Sequence, residues 1–129
     1  MFADASAIVA IIAAEPDASS LVTRLAAAGR VYASAMAVYE ATLGIARSLN
    51  LSLDNAASLV DDFLSETQAE IVPITAEIGR GALRAFERFG RGRHRAQLNM
   101  GDCFAYACAR ALGVPLLFKG DDFALTDIA

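Results

Sequence analysis

One histidine and two cysteines are all the nitrogen and sulfur metal ligands this chain has. The cysteines, Cys103 and Cys108, sit five positions apart within one predicted helix, on different faces. That placement excludes a disulfide and gives no zinc site. They are expected to be small buried apolar side chains in a reducing cytoplasm. Charge is scarce too: 20% of residues are charged and the net charge is −4. A protein that coats DNA through bulk positive charge is thereby excluded, although a local basic patch is not. Long apolar runs are missing, since the longest, Ala7 to Ala14, is far too short for a bilayer. Nor is there a basic segment at the N-terminus, where Asp4 stands in place of the Lys or Arg of a secretory signal. The expectation is a cytoplasmic protein with no membrane partner. A Ser-His-Asp pattern and a Gly-rich phosphate loop are both lacking, which leaves covalent catalysis and nucleotide triphosphate binding without support.

What the chain does have is apolar bulk. Hydrophobic residues make up 56% of its 129 positions, enough for one domain over residues 1–129 with a single sizeable core. The periodicity predicts helices over 6–14, 17–28, 35–49, from 52 or 54 to 67, 75–89, and from 99 or 101 to 112. Ser34 and Thr75 suit helix N-caps, and Gly29 and Gly113 suit helix ends. Short strand-like runs lie at 31–33, 71–74 and 115–118, and Met1 to Ala3 is too brief to assign from its own pattern. A short helical turn is expected at 121–126. Strands alternating with helices predict an α/β fold with a short parallel sheet covered on both faces.

Four acidic sites fall where a lone carboxylate is expensive. Asp4 ends the first apolar segment. Glu40 lies beside the apolar stripe Met36, Tyr39, Leu43, Ala46, with no Lys or Arg one turn away to pair with it. Asp102 opens an almost wholly apolar helix. Asp121 and Asp122 follow the last strand. Each has an ordinary explanation as a cap, a turn residue or a stripe-edge side chain. Jointly they suggest a nest of negative charge. In parallel α/β sheets ligands bind at the carboxyl ends of strands, which places Asp4, the 34–40 segment and Asp122 together. Asp102 precedes its strand, so packing must bring it there. Carboxylate-only sites suit Mg²⁺ or Mn²⁺, ions that promote phosphodiester hydrolysis. Ser6 is expected to hydrogen-bond a ligand carboxylate or a metal-bound water, or to be a plain N-terminal helix residue.

The dense positive patch is Arg88, at the end of the 75–89 helix, with Arg91, Arg93, His94 and Arg95 in the Gly/Arg-rich linker at 90–98 that Gly90 and Gly92 should make mobile. Next to an acidic metal site it would grip the phosphates of RNA. His94 is expected to be exposed there. Lys119, just before the last acidic pair, would touch phosphate or balance the carboxylates.

The opening Met-Phe-Ala-Asp-Ala-Ser-Ala resembles the D-x-S-A start of PIN-domain ribonucleases. Ser34 with Glu40 resembles their second acidic motif. Residues 91–107, Arg-Gly-Arg-His-Arg-Ala-Gln-Leu-Asn-Met-Gly-Asp-Cys-Phe-Ala-Tyr-Ala, are very similar to a segment typical of VapC toxins, and 116–128 resembles their C-terminal motif. The resemblance covers essentially the whole chain. It implies a PIN domain with four to five parallel strands in a three-layer α/β/α arrangement. It also implies the toxin of a type II toxin–antitoxin pair: an Mg²⁺- or Mn²⁺-dependent endoribonuclease, usually homodimeric, silenced by a VapB-type antitoxin. Carried over, Asp4, Glu40, Asp102 and Asp122 are the catalytic acids, with Asp4 and Asp102 as direct metal ligands. Glu40 acts directly or through water. Asp121 is the rival for the fourth position, because Gly120 stands where many PIN domains have Asp. Arg91, Arg93, His94, Arg95 and Lys119 are the RNA contacts.

Two other functions fit parts of the pattern. A phosphoacceptor signalling module also gathers acids and a Lys at strand ends, but it needs an acid at the end of its central strand, and the 71–75 run offers none. A catalytically inactive, partner-binding scaffold would use the apolar surplus around Leu49, Leu51, Leu53 and Phe63.

Overall fold

The computed structural model describes residues 1–128. The chain runs β1 (Phe2–Ala3), α1 (Ala5–Ile12), α2 (Ala18–Ala27), β2 (Tyr32–Ser34), α3 (Ala35–Leu49), α4 (Leu53–Thr67), β3 (Glu70–Val72), α5 (Ala76–Phe89), α6 (Met100–Leu112) and β4 (Leu116–Leu117). A single 3-10 turn at Phe123–Leu125 follows. The strands form one parallel sheet in the order β3-β2-β1-β4. Pro73 ends β3, since it has no N–H for a ladder.

Alternation along two-residue strands is what makes the molecule three-layered. Phe2 and Leu116 point to one face, into a core built with α5 and α6. Ala3 and Leu117 point to the other, into a core built with α1, α2, α3 and α4. Four strands stand where four to five were expected, with helices on both faces.

The helix starts follow their caps. Ser34, Ser52, Thr75 and Asn99 each accept a hydrogen bond from a first-turn N–H. Helix α3 differs from expectation in its face. Ala37, Ala41 and Ile45 are the buried ladder, and Tyr39 is 66% exposed. The small side chains win because α3 packs closely on α1: a Cβ on Gly44 would lie 2.8 Å from Val9 Cγ2. The expected apolar surface also moves. Phe63 is buried and Leu51 packs against the core, whereas the exposed large apolar residues include Leu53, Leu83, Phe86 and Met100.

Chain order sets the crevice. From β1 the chain goes to β2 on one side, and β4 closes the other. The reversal between β1 and β4 is the kind of switch point where α/β sheets bind ligands, at the carboxyl ends of the strands.

Candidate active site

Asp4 is the residue directly after β1, and its backbone N–H donates to Leu117 O of β4 at 2.9 Å. It caps α1: the Ser6 N–H and the Ser6 hydroxyl both donate to Asp4 Oδ2, at 3.0 and 2.5 Å. Ser6 Oγ in turn accepts the Lys119 backbone N–H at 3.0 Å, so the segment after β4 holds Ser6 and Ser6 holds Asp4. Asp4 is 4% exposed, and burial pushes its carboxyl above the usual range, against the pull of the Ser6 bonds.

Asp102 reaches the same place from α6. A helix that leads into a parallel strand runs antiparallel to it, so its first turn lies at the carboxyl edge of the sheet. The strand-end rule therefore places Asp102 after all, contrary to the expectation that packing alone would do so. Asn99 and Asp102 form a capping box: the Asp102 N–H donates to Asn99 Oδ1 at 2.9 Å, and the Asn99 N–H donates to Asp102 Oδ2 at 3.1 Å. The cap explanation for Asp102 and for Asp4 is thus correct, and it is compatible with a place in the site.

Glu40 comes from the second turn of α3, half-buried. Its carboxyl is pushed up to about 7, first by burial and then by the charges of Asp4 and Asp102. Asp102 is pushed up to about 6 by burial and by the charges of Asp4 and Asp122, with Arg91 opposing. Asp4, Glu40 and Asp102 line one cleft of about 340 Å³, together with Ser6, Glu15, Asn99 and Lys119. Asp122 is exposed at the start of the 3-10 turn, and its charge acts on both Asp4 and Asp102. Asp121 is also exposed.

Glu15 and Asn99 were missed from the sequence. Asn99 carried a signal, as the residue three before Asp102 at a helix start. Glu15 carried none, because only the fold returns the end of α1 to this cleft. There its carboxylate pairs with Lys119 Nζ, and Asp17 Oδ1 lies 3.8 Å from the same ammonium. Lys119 thus balances acids at the cleft, but acids other than those expected.

The basic segment is ordered by its own bonds. Gly90 and Leu98 pair as a short bridge, Arg93 and His94 N–H groups donate to Gly90 O, and Gln97 Oε1 accepts the Gly92 N–H. This corrects the expectation of a mobile linker. His94 is half-buried rather than exposed: its ring meets Phe89 edge-on at 5.2 Å, and Nδ1 accepts the Ala96 N–H at 3.0 Å. Arg91, Arg93 and Arg95 are exposed and make no ion pair among the described residues. Arg88, by contrast, is paired with Asp127 at 3.1 Å.

Among the described residues no three His, Cys, Asp or Glu side chains converge closely enough to hold a metal ion among themselves. The donor set still suits a small hard cation, which takes one or two carboxylates and completes its shell with water.

A family model for the PIN domain matches residues 1–129. A ribonuclease VapC of Mycolicibacterium smegmatis is 39% identical over 129 residues, covering 100% of this chain and 98% of that protein. This chain belongs to the VapC ribonucleases. Further members of the family include a VapC ribonuclease of Rhizobium meliloti, 37% identical over 139 residues and covering 98% of both chains. Ribonuclease VapC30 of Mycobacterium tuberculosis is 37% identical, covering 100% of this chain and 96% of its own. Among solved structures, Mycobacterium tuberculosis VapC20, described as a sarcin-ricin loop cleaving toxin, matches with a TM-score of 0.76 at 18% identity. That match covers 99% of this chain and 95% of VapC20, and it shows the shared fold. VapC membership removes the phosphoacceptor alternative; the 71–75 run that was read for its acid is the edge strand β3, ending at Val72, and not a central strand. No helix among the described residues is long and apolar enough to cross a membrane.

Proposed function

We propose that this chain, acting as one PIN domain over residues 1–129, is the endoribonuclease toxin of a type II toxin–antitoxin pair. Asp4 and Asp102 would hold Mg²⁺ or Mn²⁺ directly. The observation that carries this reading is the meeting of Asp4, Glu40 and Asp102 in one cleft, with no Lys or Arg paired to any of them among the described residues. Three carboxyls raised by burial, Glu40 also by the charges of Asp4 and Asp102, and Asp102 also by that of Asp4, are poised for an added cation.

Asp4 and Asp102 each commit Oδ2 to a helix cap, and their carboxylates would hold the cation. Such an ion acidifies a coordinated water and neutralises charge on a phosphate. The chain's own residues supply the rest. Ser6 and Asn99 fix the two aspartates. Glu40, with a carboxyl near 7, takes the proton of the water that attacks phosphorus, opposite the leaving ribose oxygen. Asp122 is the favoured fourth acid, because its charge acts on Asp4 and Asp102, with Asp121 as its rival. Exposed Arg91, Arg93 and Arg95 take RNA phosphates on either side, and Lys119 does so when released from Glu15. His94, seated on Phe89, presents only Nε2 to the strand.

Partners follow from the same family likeness. A VapB-type antitoxin would lie over the cleft and block it. A second copy would cover the apolar groove of about 360 Å³ beside the site, lined by Leu83, Phe86, Met100 and Phe104. The setting is the cytoplasm, where RNA is plentiful.

The test is cleavage of structured and unstructured RNAs by purified protein with Mg²⁺, with Mn²⁺ and with chelator. Asp4→Asn and Asp102→Asn should each lose more than the roughly 100-fold that removal of a supporting contact costs at a metal site. Cutting by either variant at the wild-type rate would refute the assignment.

A further inference from the structure

Gly101 is buried in the first turn of α6, one residue before Asp102. No left-handed backbone requires it: the glycines with positive φ are 92, 113 and 120. In a helix glycine is less favourable than alanine, so its presence needs another cause. A Cβ built on Gly101 would overlap three atoms first, and all belong to the Glu40 carboxylate: Oε2, Oε1 and Cδ. The other glycines inside helices meet nothing, an alanine methyl or a valine methyl.

Nothing else ties that carboxylate down. Among the described residues Glu40 makes no side-chain hydrogen bond and no ion pair, although its neighbours Asp4 and Asp102 are both anchored. Two like-charged neighbours push it away, and the unpaired N–H groups at the start of α6 draw it in. The hollow left by the missing Cβ lets it lie against that backbone.

We infer that Gly101 is a positioning residue whose absent side chain forms the seat of the Glu40 carboxylate, facing Asp4 and Asp102. This rests on the function proposed above. Adding a methyl there moves Glu40, because a carboxylate at the end of a flexible side chain yields before a helix backbone does.

The experiment compares wild type, Gly101→Ala, Glu40→Ala and the double variant, using Mn²⁺ binding by electron paramagnetic resonance, RNA cleavage and thermal melting. Gly101→Ala should melt no lower than wild type. Its Mn²⁺ affinity and kcat should fall about 10- to 100-fold, as for loss of a supporting contact, with KM for RNA unchanged. In the Glu40→Ala background the same change should cost no further Mn²⁺ affinity, because the group it displaces is gone. If Gly101→Ala does melt low, the double variant should recover, since the overlap is removed. Wild-type behaviour of Gly101→Ala, an equal loss of affinity with and without Glu40, or a low melt that the double variant does not relieve would each overturn the inference. A wild-type protein that binds no Mn²⁺ would instead sink the functional reading, and the wild-type titration alone separates the two failures.

Discussion

Glu40 gives the molecule its pH signature. Its carboxyl sits near 7 in the fold against an ordinary 4.5, and Asp102 near 6 against 3.8. A raised carboxyl pKa means the native state holds its proton more tightly than the unfolded chain does. Below the unfolded values both states are protonated and nothing is lost. As pH rises through those values toward 6 and 7 the unfolded chain ionises first, and stability falls. The cation-free protein should therefore resist urea better at pH 5 than at pH 8, and Glu40→Gln should flatten that difference. Cation affinity should run the other way and rise with pH over the same window, because the ligands must be ionised. Equilibrium denaturation and Mn²⁺ titration at both pH values check the two signs. Glu15 makes a second case at this scale. Glu15→Gln removes a charge from the Lys119 ammonium, freeing it toward phosphate. RNA binding should tighten at low salt with little change in melting temperature, as filter binding and calorimetry would record; weaker binding would assign Lys119 a purely structural part.

At the scale of elements, one helix end and one helix contact matter most. Asn99→Ala breaks the capping box of α6 and should cost about 1 kcal/mol by thermal melting. It should also weaken Mn²⁺ binding, because the first turn of α6 that carries Asp102 loses the Oδ1 that accepts the Asp102 N–H. The α1–α3 contact predicts an overpacking effect. Gly44→Ala puts a methyl 2.8 Å from Val9 Cγ2 and should destabilise by about 1–2 kcal/mol once the helix gain is subtracted, with Val9→Ala restoring the loss. The helices themselves were legible beforehand because caps such as Ser34, Thr75 and Asn99 act on their own chain within three residues. The face of α3 was not. Met36 and Tyr39 look more hydrophobic than Ala37 and Ala41, yet the smaller pair is buried, because close approach to α1 rewards low volume over hydrophobicity. Likewise His94 sat among arginines in the sequence, and only the ring of Phe89 turns it inward.

The whole molecule is a sheet of very short strands held between two cores, and its C-terminal segment is clamped to α5 and α6. The Tyr106 hydroxyl donates to Asp127 Oδ1 at 2.6 Å, while Arg88 and Arg110 pair with the same carboxylate. These bonds hold Asp127 down at about 2, led by the Tyr106 bond. At this scale the proposed cation would be a folding ligand. A saturating ion, at about 100 times its Kd, should add about 2.7 kcal/mol of stability to wild type. Thermal melts with and without Mn²⁺ should show a rise for wild type and none for Asp4→Asn; equal rises in both would place the ion elsewhere.

Residue type, spacing and local caps settled the class of fold and the order of its elements, and they singled out the acids proposed for the site, because those properties act over one or two helix turns. Motif resemblance extended this to a family that the full-length relatives bear out. The strand-end rule already placed Asp4, the 34–40 segment and Asp122 at one end of the sheet; what waited for the tertiary structure was how the helices deliver the rest: that the first turn of α6 faces the end of β1, that Glu15 returns to Lys119, and that Gly101 lies beneath Glu40. Such meetings depend on how helices cross and how strands order. Those are set by volumes and packing summed over the whole chain, and no short stretch of it records them.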